Sequence, residues 1–286
     1  MNRETVLTVE DLEVEFQIDD GKVKVLHGVS FDVQKGRTLG LVGESGCGKS
    51  VTSMSIMGLL PKPYGQVVKG RILYKDTDLL QLSTKRMYEM RGDAISIIFQ
   101  DPMTALNPVH TIGKQIMEVL ELHRPELAKA ERYAYAIKML EKVKIPLPEK
   151  RVDEYPHNLS GGMRQRVMIA MALACKPDVL ICDEPTTALD VTVQASILEL
   201  MRELQQETGM AMVFITHDLG VVAEICDDVA VMYGGRIVEK ADVFDLFDQP
   251  QHPYTKRLLG LMPSLDHKPK QMIDIQPIDP SIFQSD

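Results

Sequence analysis

The segment that most constrains this chain is Gly43-Glu44-Ser45-Gly46-Cys47-Gly48-Lys49-Ser50, an instance of the spacing G-x-x-x-x-G-K-[ST]. A short apolar run at 37–42, suited to a buried strand, precedes it, and residues 51–60 continue with apolar positions at helical spacing. A strand feeding a glycine-rich turn and then a helix calls for an α/β core built around that junction. The same residues carry chemistry. Glycines let the backbone curl until successive N–H groups converge, and the helix N-terminus adds partial positive charge, so the turn is a cradle for phosphate. Lys49 is placed to reach β- and γ-phosphates and the Ser50 hydroxyl to ligate Mg²⁺. Residues 43–50, with Val51 beginning the helical pattern, are the candidate site for a nucleoside triphosphate. A Gly-rich turn with no ligand is the bland alternative, and the order strand, loop, helix argues against it.

At 286 residues the chain can bury a large core, and one catalytic unit is expected. Net charge is −9 and no Lys/Arg run occurs, which argues against nucleic acid as a partner, because phosphate neutralisation needs a basic face. No stretch approaches the ~18 uninterrupted apolar residues of a membrane span, and Met1-Asn2-Arg3-Glu4 lacks the apolar core of a signal peptide. The expectation is a cytoplasmic protein that a partner can hold at a membrane. Cys47, Cys175, Cys182 and Cys226 are scattered without C-x-x-C spacing and read as reduced core or loop residues, not metal ligands.

Residues 7–16 and 23–33 alternate polar and apolar around Asp19-Asp20-Gly21, the pattern of an antiparallel hairpin. Beyond the phosphate loop and a Pro/Gly-rich turn at 61–65, strands are expected at 71–74 and 94–99. From 112 to 143 the pattern is helical, an insert between two halves of the core. Ser160 then opens a helix through Ala174. A strand at 178–182, a helix at 191–207, a strand at 211–215 and a short helix at 219–225 follow, an alternation that implies parallel strands with helical crossovers.

Asp183-Glu184 closes an apolar strand, which in a doubly wound sheet puts two carboxylates beside the phosphate loop. Asp183 suits an inner- or outer-sphere Mg²⁺ partner, and Glu184 suits polarising a water for in-line attack on the γ-phosphate. A helix N-cap is the competing reading of the pair, and Pro185 keeps it open. Ser160-Gly161-Gly162 offers a second anion-facing helix start, with a plain N-cap as the alternative.

These segments together resemble the nucleotide-binding subunits of ABC transporters over roughly residues 5–240. Gly43 to Ser50 is similar to the Walker A loop, Gln100 to the Q-loop, Leu159-Ser160-Gly161-Gly162-Met163 to the signature, and 179–183 to the Walker B strand. Glu184 resembles the catalytic carboxylate, Ala188-Leu189-Asp190 the D-loop and His217 the switch histidine. The resemblance implies an α/β fold, a P-loop NTPase core with an antiparallel β subdomain and a helical signature subdomain at about 101–175, all within residues 1–262, and a short tail over 263–286. It implies ATP and Mg²⁺ as ligands, with two subunits sandwiching two ATP molecules head to tail. Ser160, Gly161 and Gly162 then face the γ-phosphate held by the partner, with Asp190 near the same interface. His217 contacts the γ-phosphate, and Gln100 joins Mg²⁺ and the attacking water to the transmembrane side. Phe16 is the candidate for stacking on adenine, with strand core as the alternative.

Residues 99–108, 158–170 and the segment His252-Pro253-Tyr254-Thr255 are similar to the oligopeptide/dipeptide importer branch, in its D-type ATPase. That resemblance implies a second, F-type ATPase, two permeases, an external substrate-binding protein, and a place on the cytoplasmic face of the membrane. Its cargo is peptides or a related solute such as nickel or a metal chelate. Many members carry a cysteine-rich tail for an iron–sulfur cluster, whereas no cysteine follows Cys226, so no cluster is expected. The alternative is a soluble cassette ATPase of translation or DNA repair. Such proteins usually carry tandem cassettes or a long coiled coil, and this chain has neither.

Overall fold

Alternation of buried and exposed residues shapes the first part of the molecule. In this computed structural model, which describes residues 4–101, 105–187 and 189–261, strand β1 (Thr5–Ile18) folds back onto β2 (Gly21–Gln34) as an antiparallel hairpin. Leu26, Val29, Phe31 and Val33 are buried along β2 while Ser30 and Asp32 face outward, the period-2 pattern of a half-covered sheet. Strand β3 (Thr38–Val42) and helix α1 (Lys49–Ile56) flank the phosphate loop. Next come β4 (Gly65–Tyr74), β5 (Thr77–Asp78), α2 (Thr84–Met90) and β6 (Ile95–Ile98). The first sheet has the order β2-β1-β4-β5.

Four further strands, β7 (Val179–Asp183), β8 (Ala211–Thr216), β9 (Asp228–Tyr233) and β10 (Arg236–Asp242), join β3 and β6 in a second sheet of order β10-β9-β3-β8-β7-β6. All neighbours are parallel except β10, which returns antiparallel to β9. Every residue of β3, β7 and β8 is buried, as expected of parallel strands covered on both faces. Successive side chains serve opposite cores. Val179, Ile181, Val213 and Ile215 pack with the first sheet, and Leu180, Cys182, Met212 and Phe214 pack with the helices.

The insert between β6 and β7 consists of α3 (Ile112–His123), α4 (Lys129–Lys142), the short α5 (Pro148–Arg151) and α6 (Gly161–Leu173). Ile116, Leu120, Ala136, Leu140 and Val167 form its buried seam, continuous with the core under the parallel sheet. Thr111 caps α3 by accepting the Lys114 N–H, and Ser160 caps α6 by accepting the Met163 N–H. Crossovers α7 (Val191–Thr208) and α8 (Leu219–Ile225) are capped in the same way by Asp190 and Asp218. Helices α9 (Val243–Asp248) and α10 (Pro253–Gly260) end the described chain, so the tail at 263–286 lies outside the described residues.

Two boundaries and one hairpin differ from the sequence reading. The strand expected at 71–74 starts at Gly65, because Gln66 and Lys69 occupy outward positions that mask its apolar face. The helix expected over 51–60 runs Lys49–Ile56 and ends where Gly58 turns left-handed, φ 59°. The β9–β10 hairpin has no clear sequence signal, because Gly234-Gly235 joins a mostly apolar strand to one that is largely polar.

Candidate nucleotide site at the strand ends

Adjacent parallel strands β3, β8, β7 and β6 all deliver a candidate residue at their C-terminal ends, the edge at which doubly wound sheets bind ligands. The loop 43–48 follows β3, His217 follows β8, Asp183 and Glu184 close β7, and Gln100 follows β6. They meet around a cleft of about 590 Å³, a volume in the range of small-ligand sites. Gly43, Glu44, Ser45, Gly46, Gly48, Lys49, Ser50, Val51, Gln100, Glu184 and His217 line it, together with Val25, Thr187 and Leu258.

The loop needs its glycines at two points. At Gly43 (φ 154°) an added Cβ would lie 2.1 Å from the Met232 carbonyl oxygen, and at Gly48 (φ 108°) 2.6 Å from a Leu26 methyl. Lys49 is 5% exposed, and its ammonium donates to the carbonyls of Gly43 (2.8 Å) and Glu44 (2.9 Å). Its direct partners are uncharged carbonyls, with the Asp183 carboxylate near enough to act on it only by charge, so an anionic ligand is the contact partner its ammonium calls for. Cys47 is buried in the loop, and burial pushes its thiol above the ordinary range, against the pull of the neighbouring Lys49 charge.

Asp183 is also buried, and its carboxylate accepts from Ser50 Oγ (3.2 Å) and Ser53 Oγ (3.3 Å). Burial first, and the neighbouring charge of Glu184 second, raise its pKa above the usual aspartate value despite the two hydroxyl donors. Glu184 leaves the strand with φ 48°, a left-handed conformation costing on the order of 1–3 kcal/mol in a non-glycine residue. Its N–H is anchored on the Ile215 carbonyl (3.0 Å). Its Oε2 accepts from Gln100 Nε2 (3.0 Å) and Thr187 Oγ1 (3.1 Å), and His217 Nδ1 lies 3.2 Å from Oε1. Glu184 is thus not an N-cap. Its side chain is 15% exposed against 55% for His217, a largely buried carboxylate with a half-exposed imidazole beside it.

Other sequence candidates stand apart from this cleft. Ser160 and Gly161 are exposed at the start of α6, nothing lies within 4 Å of a Cβ built on Gly161, and a Cβ on Gly162 would press on Val193. Asp190 is exposed and accepts the Val193 N–H at 2.9 Å. Phe16 packs its ring over Gly65 at the end of β1 and does not line the cleft, whereas Val25 does. Ala188 of the D-loop lies outside the described residues. Ser53 and Thr187 escaped the sequence reading, although their three-residue spacing from Ser50 and Glu184 is the detectable signal.

Residues 26–187 match the ABC transporter family, and residues 238–285 match the oligopeptide/dipeptide transporter C-terminal region. The dipeptide transport ATP-binding protein DppD of Bacillus subtilis (strain 168) is 55% identical over 280 residues, 98% of this chain and 83% of that protein. The oligopeptide transport ATP-binding protein OppD of Escherichia coli (strain K12) is 48% identical over 281 residues, 98% and 82% of the respective chains. Among solved structures, cbiO1 of Clostridium perfringens, part of the ABC transporter complex cbiONQ, aligns with a TM-score of 0.73 at 29% identity, covering 86% of this chain and 92% of that one. The dimeric ATP-binding cassette MJ0796 in a post-hydrolysis state, bound to ADP and Pi, aligns with a TM-score of 0.72 at 26% identity, covering 83% and 98%. Because the family match spans the strand ends that carry Lys49, Gln100, Asp183 and Glu184, the chain belongs to the ABC transporter family, as one of its ATP-binding, ATP-hydrolysing subunits.

Proposed function

We propose that this subunit hydrolyses ATP to drive import of peptides through an ABC transporter, working at the membrane's cytoplasmic face with two permeases, a second ATPase and an external binding protein. The observation that carries the ATPase reading is the Glu184 carboxylate, held from Gln100, Thr187 and His217 at the rim of a phosphate-loop cleft. Near full-length similarity to dipeptide and oligopeptide transport subunits supports the cargo class and argues against a translation or DNA-repair protein.

In the chemistry proposed, the loop 43–50 and Val51 hold the phosphates, and Lys49 transfers its hydrogen bonds from loop carbonyls to β- and γ-oxygens. Glu184 orients and polarises the attacking water, taking its proton as the bond to phosphorus forms. His217 stays over the γ-phosphate, and Gln100 links that water to the transmembrane interface. Ser50 and Asp183 present hard oxygen donors side by side, and a buried carboxylate with a raised pKa is stabilised by a cation, so they fit Mg²⁺. Bound there with the nucleotide, Mg²⁺ would neutralise charge on the phosphate oxygens. Ser160, Gly161 and Gly162 serve the ATP of the facing subunit, in keeping with the exposure of Ser160 and Gly161 away from this chain's own cleft, and Asp190 belongs to that interface. Phe16, partly exposed with one ring edge on Gly65, is the aromatic proposed to stack on the base.

The test is a pull-down of tagged Glu184→Gln protein with ATP from detergent-solubilised membranes, with partners identified by mass spectrometry. Two multi-span permeases and a second ATPase are expected, with peptide uptake lost in cells carrying the variant. Recovery of ribosomal or DNA-repair proteins alone would sink the transport reading.

A further inference from the structure

The phosphate loop is gripped from behind by a part of the chain far away in sequence. Tyr254, in the first turn of α10, is 1% exposed, and its hydroxyl accepts the Glu44 N–H at 3.1 Å. Burial pushes this phenol up to about 12, so it stays neutral and keeps its hydrogen-bonding geometry at any physiological pH. Its ring packs against Tyr233 at the end of β9, centroids 4.4 Å apart. The other face of the same residue is held by the catalytic machinery, since the Glu44 carbonyl accepts from Lys49 Nζ at 2.9 Å. Glu44 therefore sits between the C-terminal helix and the phosphate-binding lysine.

The helix that supplies Tyr254 is itself fixed. Glu239 on β10 accepts the backbone N–H groups of Gln251 (2.7 Å) and His252 (2.9 Å), and His252 Nδ1 accepts the Tyr254 N–H (3.1 Å). Pro253 presets the first helical position. A second strap comes from the same module, where the Gly235 N–H in the β9–β10 turn donates to the Cys47 carbonyl at 3.1 Å. One turn beyond Tyr254, Leu258 reaches the cleft wall.

We propose that Tyr254 is a positioning residue for the phosphate loop, which makes the segment His252-Pro253-Tyr254-Thr255 a working part of the nucleotide site. Loop peptides already turned toward their bound orientation need less ordering when phosphate arrives, and that saving appears as affinity. A tyrosine that merely filled space would need its ring and not its hydroxyl. The inference rests on residues 43–50 being the ATP site, which Lys49→Ala tests separately by abolishing ATP binding.

The experiment compares the full chain with Tyr254→Phe, which keeps the ring and deletes the acceptor. MgATP titration calorimetry should give a Kd raised about three- to tenfold, as expected for one lost hydrogen bond. KM for ATP should rise with it while kcat at saturating ATP holds within about twofold, because the chemistry at Glu184 is untouched. Hydrogen exchange of the Glu44 amide should accelerate in the variant, with melting temperature little changed. Unchanged Kd and KM overturn the proposal and leave Tyr254 as packing. Slow exchange of the Glu44 amide in the parental protein without nucleotide is required as well, and fast exchange there overturns the proposal without any variant.

Discussion

His217 Nδ1 lies 3.2 Å from Glu184 Oε1, bridging the ends of the neighbouring strands β8 and β7. Gln100 and Thr187 occupy the other carboxylate oxygen, so the base is aimed from both sides before substrate arrives. Glu184→Gln keeps the size and one acceptor oxygen, turns the other into an NH2 donor, and cannot take a proton. Phosphate release should fall by about 10²–10³-fold while ATP stays bound, the loss expected of a missing general base. Turnover at the parental rate would remove Glu184 from the mechanism.

Lys49 argues for a different split between stability and function. Its ammonium is buried and satisfies two loop carbonyls, so Lys49→Ala both removes the phosphate ligand and strips donors from Gly43 and Glu44. The expected result is loss of detectable MgATP binding by calorimetry together with a stability change within about 1 kcal/mol. Deleting a buried charge offsets much of the 1–3 kcal/mol lost with the hydrogen bonds. ATP affinity within threefold of the parent would contradict the site.

The site was legible in sequence where spacing is dictated by covalent geometry. Gly43 through Ser50 is a contiguous loop, and Asp183-Glu184 ends an unbroken apolar run, so local pattern alone placed both. What joined Gln100, Glu184 and His217 was parallel pairing among β6, β7 and β8, whose partners lie 84 and 33 residues apart. No periodicity reports such pairings, and the family resemblance supplied them instead. Tyr254 was visible only as a family marker, because its contact with Glu44 spans 210 positions and depends on the β9–β10 hairpin. For Phe16 the pattern is silent, because an aromatic in a strand looks the same from sequence whether it faces a ligand, packs on Gly65 or does both.

Gly161 and Gly162 are adjacent in sequence and differ in role. A Cβ on Gly161 meets nothing within 4 Å, whereas on Gly162 it would lie 2.7 Å from Val193 Cγ1. Gly161→Ala should therefore leave the monomer's melting temperature unchanged or slightly raised, while lowering ATP-dependent dimerisation and hydrolysis at least tenfold if this face meets the partner's ATP. Gly162→Ala should cost about 1–3 kcal/mol by overpacking the contact between α6 and α7. Analytical ultracentrifugation with ATP and thermal melts without it separate the two. Full dimerisation by Gly161→Ala would refute the assignment of that face.

Asp178 ties the antiparallel sheet to the strand that carries the catalytic carboxylates. Lying just before β7, it accepts from Tyr74 Oη (2.5 Å) at the end of β4 and from Lys75 Nζ (2.6 Å). Burial alone would raise its carboxyl, but these hydrogen bonds and the Lys75 charge outweigh burial and leave it below the ordinary aspartate value. The unfolded chain therefore takes up the proton first on acidification. The stabilisation is complete above the ordinary aspartate range and is lost as pH falls through the folded value. Asp178→Asn should cost about 0.5–1 kcal/mol at pH 7, the modest figure appropriate to a half-exposed pair screened by water. Below about pH 4 the gap between variant and parent should close. Urea denaturation of both proteins at about pH 7, 4 and 2.5 reads the difference directly. A gap that stays constant or widens on acidification would show that Asp178 does not carry its charge into this contact.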